Sequence, residues 1–236
     1  MKPIDFFPRF NELDPEAFNV DFHLHSTWTD GKNTVSEIIE SAKTHGLHSI
    51  AITDHIRRES TYFSEYQKEI DYLNHQEEEL NVYVGFEAKV ADFSGNIDVH
   101  KDVVQKADIA IVSVHRYPLG SNLYDASEFK QNIAQEIELE LSLAALKKGG
   151  FNVLGHPGGM SLSFFKEFPT LFFEELIAEC IKNDIAFDFN GRYHARVIDQ
   201  LHPLLKKYNP RVSIGTDSHN INPMGKWNKQ LREYVA

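Results

Sequence analysis

Two short stretches near the start of the chain decide the fold class: NVDFHLH at Asn19–His25 and HSIAITDH at His48–His55. Each is an apolar, β-branched run that ends abruptly in polar residues. Apolar runs of this kind are typical of strands that are buried on both faces of a parallel sheet. Five further runs share the pattern, at Asn81–Val90, Asp108–His115, Phe151–His156, Asp184–Asn190 and Arg211–Thr216.

Longer amphipathic segments separate these runs, with apolar residues returning every three or four positions as on one face of a helix. The alternation of strand and helix predicts an α/β fold, and seven strands with seven crossovers predict a closed or nearly closed parallel barrel, one unit short of the eightfold form. An open, doubly wound sheet is the alternative. We expect one domain over residues 19–236, after an N-terminal extension of residues 1–18. The predicted helices are Thr34–His45, Ser64–Leu80, Ser127–Lys148, Leu171–Asn183 and Val197–Tyr208.

Composition excludes several classes of protein. The 236 residues carry a formal charge of −11, which disfavours a protein that coats nucleic acid or an anionic membrane. The single cysteine, Cys180, cannot form an intramolecular disulfide, and no apolar run reaches the roughly 20 residues of a membrane span. We therefore expect a cytoplasmic protein with no membrane partner. Against this background, twelve histidines stand out.

Half of these histidines lie where predicted strands end. The carboxyl ends of parallel strands, with the loops that follow them, form the binding face of α/β folds. His23 and His25 are two residues apart and so face the same side of a strand. Carboxylates accompany the histidines, and Gly31 permits a tight turn that brings Asp30 over the barrel mouth. The residues predicted to meet there are His23, His25, Asp30, His55, Glu87, His115, His156, Asp217 and His219.

Imidazoles and carboxylates without thiolates are typical ligands of Zn, Fe or Mn. Nine ligands exceed what one ion needs, so we expect two or three divalent ions, with a carboxylate, most naturally Glu87, bridging two of them. Such a centre is a local positive charge in an acidic protein. It lowers the pKa of water and neutralises charge on a transferring phosphoryl group, which predicts hydrolysis of a phosphate ester.

The motifs HLHSTWTDG, ITDH, GFEAKV, SVHR, GHPGG and GTDSH, in this order, resemble those of the polymerase-and-histidinol-phosphatase (PHP) superfamily over about Asp21–His219. The resemblance implies a distorted seven-stranded barrel with a trinuclear centre. It implies one metal at His23, His25, Glu87 and Asp217, a second at Glu87, His115 and His156, and a third at Asp30, His55 and His219.

The expected reaction is hydrolysis of a small-molecule phosphate monoester, as in histidinol phosphatases, by a metal-bridging hydroxide and with no covalent enzyme intermediate. We expect Glu87, Asp217 and His219 to be catalytic. Cationic residues after the strands are candidates for substrate contacts. These are Arg116, Arg192 and His194, with Arg57 and Arg58 after His55 as further candidates.

Three other functions fit parts of the pattern. A phosphodiesterase or exonuclease acting on nucleotides or single-stranded nucleic acid would share the metal centre, although the chain lacks a basic stripe. An amidohydrolase also begins with two histidines on a barrel strand and would bridge its metals with a modified lysine, for which Lys89 is the nearest candidate. A non-catalytic metal-binding protein would keep the ligands without turnover. The expected partner is a small phosphorylated metabolite, and the pattern leaves the oligomeric state open.

Overall fold

The computed structural model describes residues 1–235, which contain nine β-strands. Seven of them form one parallel sheet in the order β1-β2-β3-β4-β7-β8-β9, and β5 and β6 form a separate antiparallel hairpin. The strands are β1 (Val20–Leu24), β2 (Ser49–Ile52), β3 (Asn81–Lys89), β4 (Ile109–Ser113), β5 (Tyr117–Leu119), β6 (Asn122–Tyr124), β7 (Val153–Leu154), β8 (Ala186–Asn190) and β9 (Val212–Gly215).

Helices connect successive strands on the outside of the sheet and bury their apolar faces against it, as crossovers between parallel strands must. Over residues 1–235 the α-helices are α1 (Val35–Thr44), α2 (Phe63–Asn74), α3 (Lys101–Lys106), α4 (Gln131–Lys148), α5 (Gly159–Phe165), α6 (Thr170–Lys182), α7 (Gly191–His194), α8 (Ile198–Tyr208) and α9 (Lys226–Val235). Short 3-10 helices lie at Ile4–Phe6, Phe10–Glu12, Glu16–Phe18, Ala126–Glu128 and Ala195–Val197.

The sheet curls into a nearly closed barrel. At the carboxyl end of the seam between β1 and β9, Leu24 and Ser218 form a parallel bridge, and the His25 N–H donates to the Ser218 carbonyl oxygen at 3.0 Å. At the other end of the seam, the Asn228 side-chain amide donates to the Val20 carbonyl oxygen at 2.8 Å. The predicted seven-stranded parallel barrel is thus confirmed, and the alternative of an open, doubly wound sheet is wrong.

The N-terminal segment packs against the barrel. The side chains of Phe7, Phe10 and Phe18 are buried in the common core. The Val212 N–H, on the edge strand β9, donates to the Pro8 carbonyl oxygen at 2.9 Å. The segment therefore covers part of the strand edge that incomplete closure of the barrel leaves open.

Two kinds of local structure differ from the sequence prediction. The run Phe151–His156 forms a strand only at Val153–Leu154, and His156, with φ = 27°, lies outside the extended conformation. The β5–β6 hairpin and helices α3, α5, α7 and α9 were not predicted, since these segments are short or carry too few apolar residues for a clear period. No helix within residues 1–235 combines the length and the apolarity that crossing a membrane requires.

We expect Phe7→Ala to lower the free energy of unfolding by about 3–5 kcal/mol, since the mutation leaves a cavity at a fully buried aromatic site. The control is Tyr72→Ala on α2, where the side chain is 66% exposed and the loss should stay below about 1 kcal/mol. Urea unfolding followed by circular dichroism measures both. Equal, small losses would show that the N-terminal segment does not stabilise the barrel.

Candidate metal centre

Glu87 lies at the centre of the site, near the carboxyl end of β3, and its side chain is buried. Its Oε1 atom lies 2.9 Å from His156 Nε2 and 3.1 Å from His115 Nε2. Its Oε2 atom lies 3.1 Å from His55 Nδ1. The Ser113 hydroxyl, on the neighbouring strand β4, donates to Oε1 at 2.5 Å. Three histidines that follow three different strands therefore converge on one carboxylate.

Two more histidines reach Glu87 from β1 and its carboxyl end. His23 Nε2 lies 3.4 Å from Oε1 and His25 Nε2 lies 3.5 Å from Oε2, as their spacing of two residues predicts. Gly215 on β9 allows this approach, because a Cβ atom there would lie 2.5 Å from His23 Cβ. The buried carboxylate thus faces five imidazoles.

The imidazoles keep Glu87 ionised despite its burial. Burial alone raises the pKa of the Glu87 carboxyl, but interactions with the surrounding imidazoles, His115 and His23 first among them, outweigh it and hold the pKa well below its ordinary value. Burial lowers the pKa of His25, which favours its neutral form. An ionised carboxylate and a neutral imidazole are the forms that bind metal ions.

Asp217 and His219 approach from the loop after β9. Asp217 Oδ1 lies 3.0 Å from His25 Nε2, and His219 Nε2 lies 3.2 Å from Asp30 Oδ2. Asp217 has φ = 49°, a left-handed conformation that is uncommon for residues other than glycine. Two residues with positive φ, Asp217 and His156, are therefore among the nine predicted ligands, and such strain is frequent at functional sites.

Asp30 sits over the mouth on the loop after β1, with its side chain half exposed. Asp54 fixes the start of this loop by accepting hydrogen bonds from the Ser26 N–H at 3.0 Å and from the Thr29 hydroxyl at 2.6 Å. Gly31 lets the loop fold back, because a Cβ atom there would lie 2.2 Å from the His25 carbonyl oxygen. Asp30 Oδ2 consequently lies 3.5 Å from His55 Nε2.

The structure brings eight of the nine predicted ligands together in overlapping groups whose donor atoms lie within 4.8 Å of one another, and the ninth, His156, lies 2.9 Å from Glu87 Oε1. One group, which consists of His23, His25, Glu87 and Asp217, is identical to a ligand set that the resemblance implies. A second group contains His25 in addition to the implied set of Asp30, His55 and His219. A third group contains His55 beside Glu87 and His115, in the place where the resemblance implies His156. The groups are His23, His25, Glu87 and Asp217; His25, Asp30, His55 and His219; and His55, Glu87 and His115.

The donor atoms fit divalent metal ions. His23 Nε2, His25 Nε2 and Glu87 Oε2 are buried and have no hydrogen-bond partner among residues 1–235. Buried polar atoms without partners are costly, and a metal ion shared by these atoms would satisfy them. The absence of thiolates from the groups suits Zn, Fe or Mn.

Asp188 on β8 contacts two of the predicted ligands, His23 and His156, and it is not among the residues predicted from the sequence. Its Oδ2 atom lies 2.9 Å from His23 Nδ1 and accepts hydrogen bonds from the His156 N–H and the Asn190 side-chain amide, both at 3.0 Å. The Nδ1–H of His23 therefore donates to Asp188, which leaves the Nε2 lone pair for a metal. The signal was present: Asp188 is the one charged residue inside the apolar run AFDFN.

Arg192 and Tyr193 hold the outer oxygen of Asp217. Arg192 Nη1 and the Tyr193 hydroxyl each donate to Asp217 Oδ2 at 2.9 Å. Arg192 Nη1 also lies 3.2 Å from His219 Nδ1, and its side chain is half exposed. The predicted substrate contact Arg192 is thus at the cluster, with part of its guanidinium open to solvent.

His194 is not at the mouth, and its predicted role as a substrate contact is wrong. The side chain is fully buried; its Nδ1 atom accepts a hydrogen bond from the Asn190 N–H at 3.0 Å, and its Nε2–H donates to the Pro157 carbonyl oxygen at 2.9 Å. Both ring nitrogens are therefore used by backbone groups of the loops after β7 and β8. His194 ties these two loops together.

The remaining cationic candidates lie at the edge of the site. Arg116 Nε is 3.5 Å from Asp125 Oδ1, at the end of the β5–β6 hairpin. Arg57 Nη1 donates to the Glu87 carbonyl oxygen at 3.4 Å, and the Arg58 N–H donates to Asp98. Lys89 Nζ lies 3.2 Å from Asp98 Oδ2, so this lysine is paired with an acid outside the cluster. Glu87, rather than a lysine, therefore stands between the donor groups.

A parallel barrel with a buried cluster of histidines and carboxylates at the carboxyl ends of its strands is the architecture of a metal-dependent hydrolase. Comparison with known proteins gives the family. The PHP domain model matches residues 21–192, and the chain belongs to this family.

Relatives and solved structures agree with this assignment. The chain is 28% identical over 210 residues to the DNA polymerase/3'-5' exonuclease PolX of Bacillus subtilis, covering 85% of the chain and about a third (34%) of that protein. It is 25% identical over 209 residues to a probable phosphatase of Caldicellulosiruptor bescii, covering 88% of the chain and 82% of that protein.

The fold is that of the histidinol phosphate phosphatase of Lactococcus lactis, whose crystal structure contains zinc, L-histidinol and phosphate. The two structures superpose with a TM-score of 0.70 at 19% identity, over 92% of this chain and 93% of that one. The putative histidinol phosphatase of Listeria monocytogenes gives a TM-score of 0.71 at 15% identity.

We expect Asp188→Asn to weaken binding of Zn²⁺ or Mn²⁺ by about 10- to 100-fold, because His23 loses the carboxylate that orients its ring and raises its basicity. Competition with a fluorescent chelator measures the affinity. The control is Asp184→Asn, at the exposed beginning of the same run. If both variants bind metal as tightly as the wild type, Asp188 does not support the site.

A second prediction concerns pH. Burial lowers the pKa of His194 from its ordinary value of 6.5 to about 4. The unfolded chain therefore takes up this proton near pH 6.5 and the folded chain only near pH 4, so the stability contributed by neutral His194 is complete above pH 6.5 and falls with pH below it. Relative to His194→Gln, the wild type should lose about 2 kcal/mol of unfolding free energy between pH 7.5 and pH 5.

Urea unfolding of chelator-treated protein at the two pH values gives this difference, with His100→Gln, at an exposed position, as the control. If the difference in unfolding free energy between the wild type and His194→Gln stays constant with pH, the assignment of His194 as a neutral, buried group is contradicted.

Proposed function

We propose that the protein is a metal-dependent phosphatase of the PHP family that hydrolyses a small-molecule phosphate monoester at a centre of two or three divalent ions. The observation that carries the proposal is the position of Glu87, one buried carboxylate facing five imidazoles at the carboxyl end of the barrel. Relatives named as probable phosphatases that align over most of both chains support it. Histidinol phosphate is one candidate substrate, supported by the fold shared with the lactococcal phosphatase.

The divalent ions and the buried carboxylates have different roles in this proposal. Divalent ions, when bound, supply Lewis acidity at the phosphoryl group and lower the pKa of water. Glu87 stays ionised in the buried site, as does Asp217: burial raises the pKa of the Asp217 carboxyl, but the contact with His25 at 3.0 Å and the charges of His23 and His25 outweigh burial and lower it. These negative charges would offset those of bound divalent ions, and Glu87 belongs to two of the donor groups.

Arg192 acts on the solvent side of the site. Its guanidinium is fixed at Asp217 Oδ2 and His219 Nδ1, yet its side chain is half exposed. A guanidinium in this position can donate to a non-bridging oxygen of the phosphoryl group, and such charge-assisted hydrogen bonds strengthen as charge builds up in the transition state. Because Tyr193 also holds Asp217, the carboxylate keeps its orientation when Arg192 turns to the phosphate.

A second candidate function is exonuclease or phosphodiesterase activity, which is favoured by the similarity to PolX. The chain spans about a third of that protein, and its formal charge of −11 works against binding a polyanion. We therefore place the monoesterase first.

The test is hydrolysis of three probes by protein loaded with Zn²⁺ or Mn²⁺: p-nitrophenyl phosphate, bis(p-nitrophenyl) phosphate and single-stranded DNA. We expect the monoester to be cleaved with the highest kcat/KM. His156→Ala should reduce both this activity and the bound metal per chain, whereas His100→Ala should change neither, because His100 is exposed and belongs to none of the donor groups. Cleavage of only the diester or DNA would favour the second function, and no cleavage of any probe would overturn both.

A further inference from the structure

A cavity of about 430 Å³ opens beside the metal centre, between the loop after β9 and helix α9. Its lining includes His219 and Arg192, which also contact the cluster, and Lys226, Trp227 and Gln230 of α9. A volume of this size suits a small organic group. A phosphate ester bound at the cluster would therefore have this cavity available for its alcohol portion.

The lining of the cavity carries a net positive charge, because Arg192 and Asp217 pair with each other and Lys226 remains. Two cationic side chains, Arg192 and Lys226, line it, and Asp217 is the one acidic side chain in the lining. Asp217 is already engaged, since its Oδ2 atom binds Arg192 and Tyr193 and its Oδ1 atom faces His25. No carboxylate of the described lining is thus left for a cationic ligand.

Lys226 is the less engaged of the two cations. Its side chain is exposed, and it has no acidic partner within residues 1–235. Asn220 and Gln230 add neutral hydrogen-bonding groups to the same lining. An ammonium group with neutral donors nearby, facing a small cavity, is suited to bind an anion.

We propose that this cavity binds an anionic group on the alcohol portion of the substrate, held by Lys226, while Arg192 serves the phosphoryl group. This inference rests on the proposed function and narrows its substrate class to phosphate monoesters whose alcohol carries a second negative charge. Histidinol carries an amine that is protonated near neutral pH, and it would bring a positive charge to a positive cavity. Histidinol phosphate, the candidate that the shared fold supports, is therefore expected to have a lower kcat/KM than a phosphate monoester of similar size whose alcohol is anionic.

The test uses three aryl phosphates that differ only in the para substituent: carboxymethyl, methyl and aminomethyl. The wild type should show the highest kcat/KM for the carboxymethyl ester and the lowest for the aminomethyl ester. Because Lys226 is exposed and screened, we expect Lys226→Gln to reduce the preference for carboxymethyl over methyl by about fivefold. Lys226→Glu should favour the aminomethyl ester instead.

The matched control is Lys229→Gln on the same helix, which removes the same charge from an exposed position outside the cavity lining. It should keep the wild-type preference. A general effect of net charge would change the preference equally in Lys226→Gln and Lys229→Gln, and that result would overturn the proposal.

A binding measurement on metal-free protein makes the test independent of turnover. The chain has two tryptophans, Trp28 and Trp227, and Trp227 lines the cavity. In a Trp28→Phe background, titration with 4-hydroxyphenylacetate should change the Trp227 emission, with a Kd about fivefold weaker after Lys226→Gln. The Kd of 4-methylphenol, which carries no charge, should be the same before and after Lys226→Gln.

The outcomes separate the two proposals. If none of the three esters is cleaved, the proposed function fails, and the titration alone decides the inference about the cavity. If the esters are cleaved with equal kcat/KM by the wild type and by Lys226→Gln, and 4-hydroxyphenylacetate binds both proteins equally, the inference fails and the phosphatase assignment stands.

Discussion

The site depends on one constraint: a carboxylate, Glu87, is buried inside the barrel and must remain charged. A buried, unpaired carboxylate costs several kcal/mol. Here five imidazoles surround it, and they come from β1 and from loops after β1, β2, β4 and β7. The barrel is what makes this possible, since only a closed parallel arrangement brings the carboxyl ends of so many strands to one point.

A second layer of acids and hydroxyls fixes the orientation of these groups. Asp188 orients His23 and the backbone of His156, Asp54 orients the loop that carries Asp30, and Ser113 donates to Glu87. The positive φ angles of His156 and Asp217 show that the backbone itself is bent to bring ligands inward. Such preorganisation keeps donor atoms in place before a metal ion arrives.

Much of this could be predicted from the sequence because buried parallel strands leave a strong signal. Polar residues such as His55 and Glu87 are conspicuous in apolar runs. The barrel could be predicted from the runs, and the nine ligand candidates could be predicted from their places at the carboxyl ends of the predicted strands. Asp188 was missed although it is the one charged residue of the run AFDFN, because its role depends on contacts across the barrel with His23 and His156. His194 was misassigned because a histidine after a strand can face either the mouth or the core, and only packing decides which.

Other features depend on tertiary contacts that leave no periodic pattern. Phe7 and Phe10 belong to a segment predicted as an extension, yet Phe7 packs against Phe22 of β1 and Phe10 packs against Phe189 of β8. Likewise, Lys226 and Arg192 are far apart in sequence, and the cavity between them exists only because α9 returns to the barrel mouth.

The most direct test of the account is anomalous diffraction from crystals of the metal-loaded protein, recorded on both sides of the absorption edge of the bound metal. The account predicts at least two anomalous peaks that share Glu87, each about 2.0–2.2 Å from one of its carboxylate oxygens, with imidazole nitrogens completing the coordination. A single peak with no ligand from Glu87, or no peak within the cluster, would contradict it.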